Sequence, residues 1–184
     1  MCGRFYINAE CDARELAQVI DTISRKPEAL GVRTSGEVCP GDMIAVLAGT
    51  QIVPMRWGYR VGKRLIINAR SETMDERPMF MRGGRCLIPA SGYYEWNADK
   101  QRYAYDAQGG VLYMAGLFRM EPGERTARCV ILTREAAAEF AQVHERMPVL
   151  LGGADRRAWL NGASAQDILA RAHAGVTQQA EVRI

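Results

Sequence analysis

Apolar positions follow two rhythms along this chain. Leu16, Val19, Ile20 and Ile23 recur at one-face helical spacing, which predicts a helix. Asp12-Ala13-Arg14-Glu15 before them has the spacing of a capping box. Elsewhere the apolar stretches are short and read as strands. Residues 2–7 are extended, and 26–36 form a loop with Pro27, Gly31 and Gly36. A tight turn over 37–42 leads into a strand at 43–48, and Gly49-Thr50 turns it into a second at 51–57. Pro54 cannot donate to a ladder, so this second strand is expected at an edge or bulged. Leu65-Ile66-Ile67 reads as a short buried strand that delivers Asn68 to Thr73, and 77–85 as a basic, irregular segment. Residues 86–89 and 93–96 are strand-like around Ser91-Gly92. Residues 102–107 and 111–118, joined by Gln108-Gly109-Gly110, give the clearest hairpin signal. A strand at 128–133, a helix at 134–143, two short helices at 155–160 and 166–172, and an edge strand at 180–184 complete the reading. The pattern indicates an α+β fold, a single domain over residues 1–184, with mostly antiparallel sheet curled toward a barrel and a few flanking helices.

Composition narrows the function classes. A chain of 184 residues with 48% apolar and 24% charged residues is neither disordered nor fibrous. The net charge of +3 permits nucleic acid as a partner without demanding it. No apolar run of 18 residues and no apolar leader are visible, so neither a membrane span nor a signal peptide is expected. Cys2, Cys11, Cys39, Cys86 and Cys129 are odd in number and widely spaced, with no CxxC pair and neither His144 nor His173 near them in sequence. No metal site or disulfide framework is expected, and a reducing cytoplasm fits better.

The candidate chemistry starts at Met1-Cys2-Gly3-Arg4. Without Met1, Cys2 would carry an α-amine and a thiol on adjacent carbons. The amine can attack an aldehyde to give an imine, and the thiol can close on it as a five-membered thiazolidine. An α-amine titrates near ~7.7–8.0, against ~10.4 for lysine, so part of it is neutral at working pH. Cys2 is also open to an ordinary reading, as a second residue with no role. Glu95 sits among Tyr93, Tyr94 and Trp96. Loss of solvation there raises a carboxyl and suits it to proton transfer; a half-exposed strand position is the alternative. His144 is either a general acid–base or a helix-end residue favoured by the macrodipole. Asn68 and Arg70 share a strand face if Ala69 is extended, offering amide groups and a guanidinium fork, or else form a strand end. Trp57, Trp96 and Pro40 either stack on bases or pack in the core. Arg4, Arg70, Arg77, Arg82 and Arg85 are phosphate ligands if there is a nucleic-acid face, and a solvated surface otherwise.

Four motifs occur in order: Met-Cys-Gly-Arg-Phe at the start, Ile-Asn-Ala-Arg-Ser-Glu-Thr at 67–73, Arg-Cys-Leu-Ile-Pro-Ala-Ser-Gly-Tyr-Tyr-Glu-Trp at 85–96 and His-Glu-Arg-Met-Pro-Val-Leu-Leu at 144–151. Their combination resembles the SOS response-associated peptidase (SRAP) family of abasic-site processing proteins, over about residues 1–151. The resemblance implies a DNA-damage protein that removes its own Met1 as a thiol autopeptidase. Cys2 would then crosslink, in a lyase-type reaction, to the ring-opened aldehyde of an abasic site in single-stranded DNA. By position it implies Cys2, Asn68, Glu95 and His144 as catalytic residues. Arg4, Pro40, Trp57, Gly58, Arg70, Arg77, Trp96 and Thr133 fall at DNA-binding or site-flanking positions. No cofactor and no metal are implied, and a cytoplasmic, DNA-associated monomer is expected.

The chain departs from the family pattern at Glu37-Val38-Cys39-Pro40, where an asparagine is usual, in a short 58–66 segment, and in a short part after Leu151. An exposed Glu37 carboxylate would repel phosphate. Two other readings stay open: an N-terminal-nucleophile cysteine hydrolase without a DNA role, and a non-catalytic single-strand binder.

Overall fold

In the computed structural model, which describes residues 2–8, 13–106, 110–172 and 178–182, the chain alternates short strands with four helices. In order these are β1 Arg4–Ile7, α1 Arg14–Ser24, β2 Val32–Arg33, β3 Gly36–Val38, β4 Met43–Ala48, β5 Gln51–Trp57, β6 Tyr59–Val61, β7 Arg64–Ile66, β8 Asn68–Arg70, α2 Pro78–Met81, β9 Gly84–Ala90, β10 Gly92–Trp96, β11 Arg102–Asp106, β12 Leu112–Arg119, β13 Arg128–Glu135, β14 Arg146–Pro148, α3 Gly153–Leu160, α4 Ala165–Arg171 and β15 Gln178–Val182.

The strands form two main layers. One sheet runs β15-β11-β10-β1-β3. The other follows β12-β9-β4-β5-β13-β14, and β12 also pairs with β13, so its pairings trace a ring. The ring is barrel-like but not sealed. β4 and β9 meet at one pair, Leu47↔Leu87, and β5 and β13 at two, Arg128↔Arg56 and Cys129↔Trp57. Because β5 touches β13 only there, its other edge is open at Pro54, as the missing donor requires.

Burial explains the elements. Leu16, Val19 and Ile23 are the buried stripe of α1, each worth roughly 1.5–3 kcal/mol when fully withdrawn from water. Phe5, Val38, Tyr93, Trp57 and Ile131 belong to one core cluster, which therefore joins the two sheets. Gly92 sits where the backbones close: a Cβ there would lie 2.3 Å from the Tyr105 carbonyl oxygen and 2.4 Å from Tyr6 Oη.

Several expectations are corrected. β11 and β12 are not a hairpin. β11 pairs with β10 and β15, and β12 with β9 and β13. The hairpin is β10–β11, closed by Asn97, whose Oδ1 accepts from the Asp99 and Gln101 amides at 3.0 and 2.9 Å. Residues 136–143 form turns rather than a helix. β13 continues to Glu135 opposite Arg146, and the Ala136 amide donates to the Glu145 carbonyl at 2.9 Å, pinching the loop shut. Residues 65–67 are not a buried strand: β6 and β7 form a separate hairpin in which Leu65 is exposed. Residues 78–81 are helical rather than irregular. The N-cap of α1 is Ala13, without a side-chain bond; Asp12 and His173 lie outside the described residues.

Candidate active site

Cys2 enters the site at the head of β1, between the layers, and is fully buried. Its carbonyl accepts 2.9 Å from Asn68 Nδ2, and its thiol points to the Arg4 carbonyl at 3.7 Å. Burial pushes the thiol well above its ordinary range, with the Glu95 charge acting the same way. The resting sulfur is therefore a protonated thiol.

Asn68 is held by the second layer. β8 runs parallel to β13, with Asn68 opposite Ile131. The Ile67 carbonyl just before it accepts from the Ile131 amide and from Trp57 Nε1, both at 3.0 Å. Trp57 itself packs its ring 5.2 Å from Phe5. Gly58 follows with φ +110°, a conformation suited to glycine, and a Cβ there would press on Ile67 at 3.3 Å. The Asn68 Oδ1 atom is buried and accepts no hydrogen bond among the described residues.

Glu95 arrives from the first layer. The β1–β10 register ends at Arg4↔Tyr94, so the next position, Glu95, is level with the start of the chain. Its side chain is 3% exposed. Desolvation raises its carboxyl to about 7, against a smaller opposing pull from the positive chain terminus. Tyr93 on the same face of β10 stacks on Tyr105 at 4.8 Å, and Phe140 meets Tyr105 edge-on at 5.4 Å. The Phe140 contact anchors the 136–143 loop to the first sheet and brings His144 over with it.

His144 precedes β14. The Arg146 amide donates to its Nδ1 at 3.0 Å, so the neutral ring carries its proton on Nε2. Burial first, then the positive chain terminus, hold its pKa below the ordinary value. The backbone behind it is fixed by Arg146, which makes a two-pronged pair with Glu72 at 2.7 and 2.8 Å and donates to the Thr133 carbonyl at 2.7 Å. The pair draws Glu72 down to about 2. Sequence reasoning missed this network, although both partners lie within the quoted motifs as opposite charges.

Four of the proposed residues thus converge: Cys2 and Glu95 from one sheet, Asn68 and His144 from the other. The flanking candidates divide. Trp57 and Thr133 are buried at 0% and 1% exposure, so neither ring nor hydroxyl offers a face to a nucleotide. Core packing accounts for Trp57, and Thr133 supports Arg146. Gly58 is buried too. Pro40 and Trp96 are half-buried, and Arg70 and Arg77 are exposed. Pro40 occupies a turn whose Gly41 amide donates to the Trp57 carbonyl at 2.8 Å. Arg4 is engaged by Glu37, which also holds Arg102 at 3.0 Å. The Glu37 carboxylate is therefore neutralised rather than left bare.

A cysteine, a raised carboxyl, an amide and a neutral imidazole are thus gathered where β1 begins. The family model described as SOS response associated peptidase (SRAP) matches residues 1–183. The chain belongs to the SRAP family. It is 32% identical to the abasic site processing protein YedK of Escherichia coli (strain K12), over 92% of this chain and 86% of YedK. It is 30% identical to the abasic site processing protein YoaM of Bacillus subtilis (strain 168), over 88% and 79%. A crystal structure of a protein from Bordetella bronchiseptica shares this SRAP fold at TM-score 0.76 and 21% identity, covering all of both chains. No helix among the described residues is long and apolar enough to cross a membrane.

Proposed function

We propose that this SRAP protein traps abasic sites in single-stranded DNA by a covalent bond to Cys2. The observation that carries the reading is the buried meeting of Cys2 with Glu95 and Asn68, in a chain related to proteins named for abasic site processing. Removal of Met1, by the domain's own peptidase action, frees the α-amine. The amine attacks C1′ of the ring-opened sugar, and Glu95 in its acid form gives a proton to the departing hydroxyl. Water leaves and an imine remains. The thiol then adds to the imine carbon. Its proton passes through Glu95 to the nitrogen, and the thiazolidine closes.

A carboxyl near 7 suits both proton transfers, because it is populated in both states at neutral pH. The raised thiol favours this order, with amine first and sulfur second. Asn68 Oδ1 has an open lone pair for the amine or a sugar hydroxyl. Neutral His144, with its proton on Nε2, assists opening of the sugar ring. Arg70, Arg77 and the edge of Trp96 contact the strand.

The test is denaturing electrophoresis after incubation with an abasic single strand. Wild type shifts; Cys2→Ala does not; an undamaged strand gives no shift. A shift that survives Cys2→Ala would refute the assignment and favour a non-catalytic binder with adventitious lysine adducts. Peptide or amide cleavage without any shift would favour the hydrolase reading.

A further inference from the structure

His144 reaches the site on a loop, residues 136–145, that joins β13 to β14. The mouth of this loop belongs to the second layer. Glu135 pairs with Arg146 across the ladder, the Ala136 amide donates to the Glu145 carbonyl at 2.9 Å, and the Ala137 amide points to Met147 Sδ at 3.5 Å. The tip crosses to the first layer through the Phe140 ring, which is half-buried against the core cluster that contains Cys2, Tyr93 and Tyr105. A cleft of about 360 Å³ runs along the loop, lined by Arg70, Glu135, Ala136, Ala141, Glu145 and Arg146, so this flank of the loop is hollow rather than packed.

The tip contact is a column of rings. Phe140 meets Tyr105 edge-on at 5.4 Å, and Tyr105 lies 4.8 Å from Tyr93 with 5° between their planes. Edge-to-face and offset-stacked pairs are the favoured geometries of aromatic rings. The far end of the column is the site itself. Burial and then Cys2 raise the Tyr93 phenol, and burial and then the Glu95 charge raise the Tyr105 phenol to about 12. The near end is His144. The Phe140 carbonyl accepts from the Val143 amide at 3.0 Å and from the His144 amide at 3.4 Å. One residue thus fixes its ring to the sheet that carries Cys2 and Glu95, and its carbonyl to the backbone that carries the imidazole.

We infer that Phe140 is the positioning residue for sugar-ring opening, holding His144 Nε2 at the ring oxygen of the abasic sugar. The inference rests on the abasic-trapping reading, and its test separates the two. Opening is an isomerisation: the C1′–O4′ bond breaks, the C1′ hydroxyl gives up a proton, O4′ takes one up, and nothing leaves. Neutral Nε2–H donates a hydrogen bond to O4′ and stabilises the charge that develops there, a contribution set by distance and direction. Phe140 fixes both. Glu95 and the Cys2 amine act once the aldehyde is free, and the β1–β10 ladder holds them without the loop.

Crosslinking rates are compared on two single strands, one with a true abasic site, the other with an aldehyde on an alkyl linker and no hydroxyl to cyclise on. Phe140→Ala is expected to slow the first by about 10- to 100-fold and to leave the second at the wild-type rate. Phe140→Tyr, which keeps the ring, is expected to restore the first. In a His144→Ala background Phe140→Ala is expected to add nothing, because it acts through the imidazole. If Phe140→Ala does not fold, Phe140→Leu, which keeps bulk without the ring edge, carries the same expectation. Equal slowing on both strands, no slowing on the first, or full additivity with His144→Ala overturns the inference. NMR titration of His144 reads its position without any crosslink. Burial, then the positive chain terminus, holds its pKa down, with Glu145 opposing and the Arg146 charge adding a little. Phe140→Ala exposes the imidazole and draws it from the terminus, so its pKa is expected to rise toward the ordinary histidine value; an unchanged value overturns the inference. A raised pKa with no wild-type crosslink on either strand keeps the positioning of His144 and removes the trapping reading. A wild-type crosslink with an unchanged pKa does the reverse.

Discussion

Glu95→Gln separates the cost of the site from its chemistry. The carboxamide keeps the shape of the side chain and removes its ionisation. In the unfolded chain the carboxyl titrates near 4.5, and in the fold at about 7. The folded value is the higher one, so folding favours the protonated form. The stability this group contributes is fully present below pH ~4.5 and is lost as pH rises through about 7. At about 1.4 kcal/mol for each tenfold, a fully ionised Glu95 costs the fold about 3 kcal/mol. Solvent screening is a small correction, because the side chain is 3% exposed. Urea unfolding of wild type and Glu95→Gln at pH 5 and pH 8.5 measures this. The variant is expected to gain about 2.5 kcal/mol on wild type between the two pH values, slightly less than the full cost because the unfolded carboxyl is already partly ionised at pH 5, while its crosslinking rate falls by roughly 10²–10⁴ for want of proton transfer. A stability difference that is the same at both pH values would refute the raised carboxyl and the acid–base role built on it.

Glu72→Gln removes the charged partner of a buried Arg146. It is expected to cost about 1–3 kcal/mol, the lower end being favoured by the partial exposure of Glu72, and to slow crosslinking through a displaced His144, read by urea melts and gel kinetics. Because Glu72 is drawn down to about 2, its pairing stabilises the fold above pH ~4.5 and fades as pH falls toward 2, so the wild type's acid unfolding is expected to be steeper than the variant's. Asn68→Ala, which releases the Cys2 carbonyl, is expected to slow crosslinking at least tenfold with Met1 removal scored separately by mass. Glu37→Gln frees Arg4 and Arg102 from their shared carboxylate and is expected to tighten single-strand binding and steepen its salt slope by roughly 0.7; weaker binding would show that Glu37 positions Arg4 for DNA.

The parts of this fold that were legible in sequence were those set by local rhythm. The α1 stripe, the β4–β5 pair around Gly49-Thr50 and the Asn68–Arg70 face needed only periodicity and turn chemistry. What was misread depended on partner choice. Gln108-Gly109-Gly110 looks like a hairpin turn, yet Asn97 closes the competing turn with its own side chain and claims β11 for β10. The alanine-rich 134–143 stretch has helical propensity, but the Glu135–Arg146 pairing and the Phe140–Tyr105 contact outweigh it. Trp57 shows the same limit at the site: beside a glycine it suggested a stacking surface, whereas its indole is spent holding the Ile67 carbonyl in front of Asn68.

Intact-mass spectrometry before and after incubation with an abasic single strand reads both Met1 removal and covalent capture in one experiment. The expected protein lacks Met1 and gains the mass of the lesion strand less one water, the stoichiometry of imine formation and ring closure, and gains nothing from an undamaged strand or after Cys2→Ala. A protein that keeps Met1 and still forms the adduct, or one that has lost Met1 and forms none, would contradict the trapping reading.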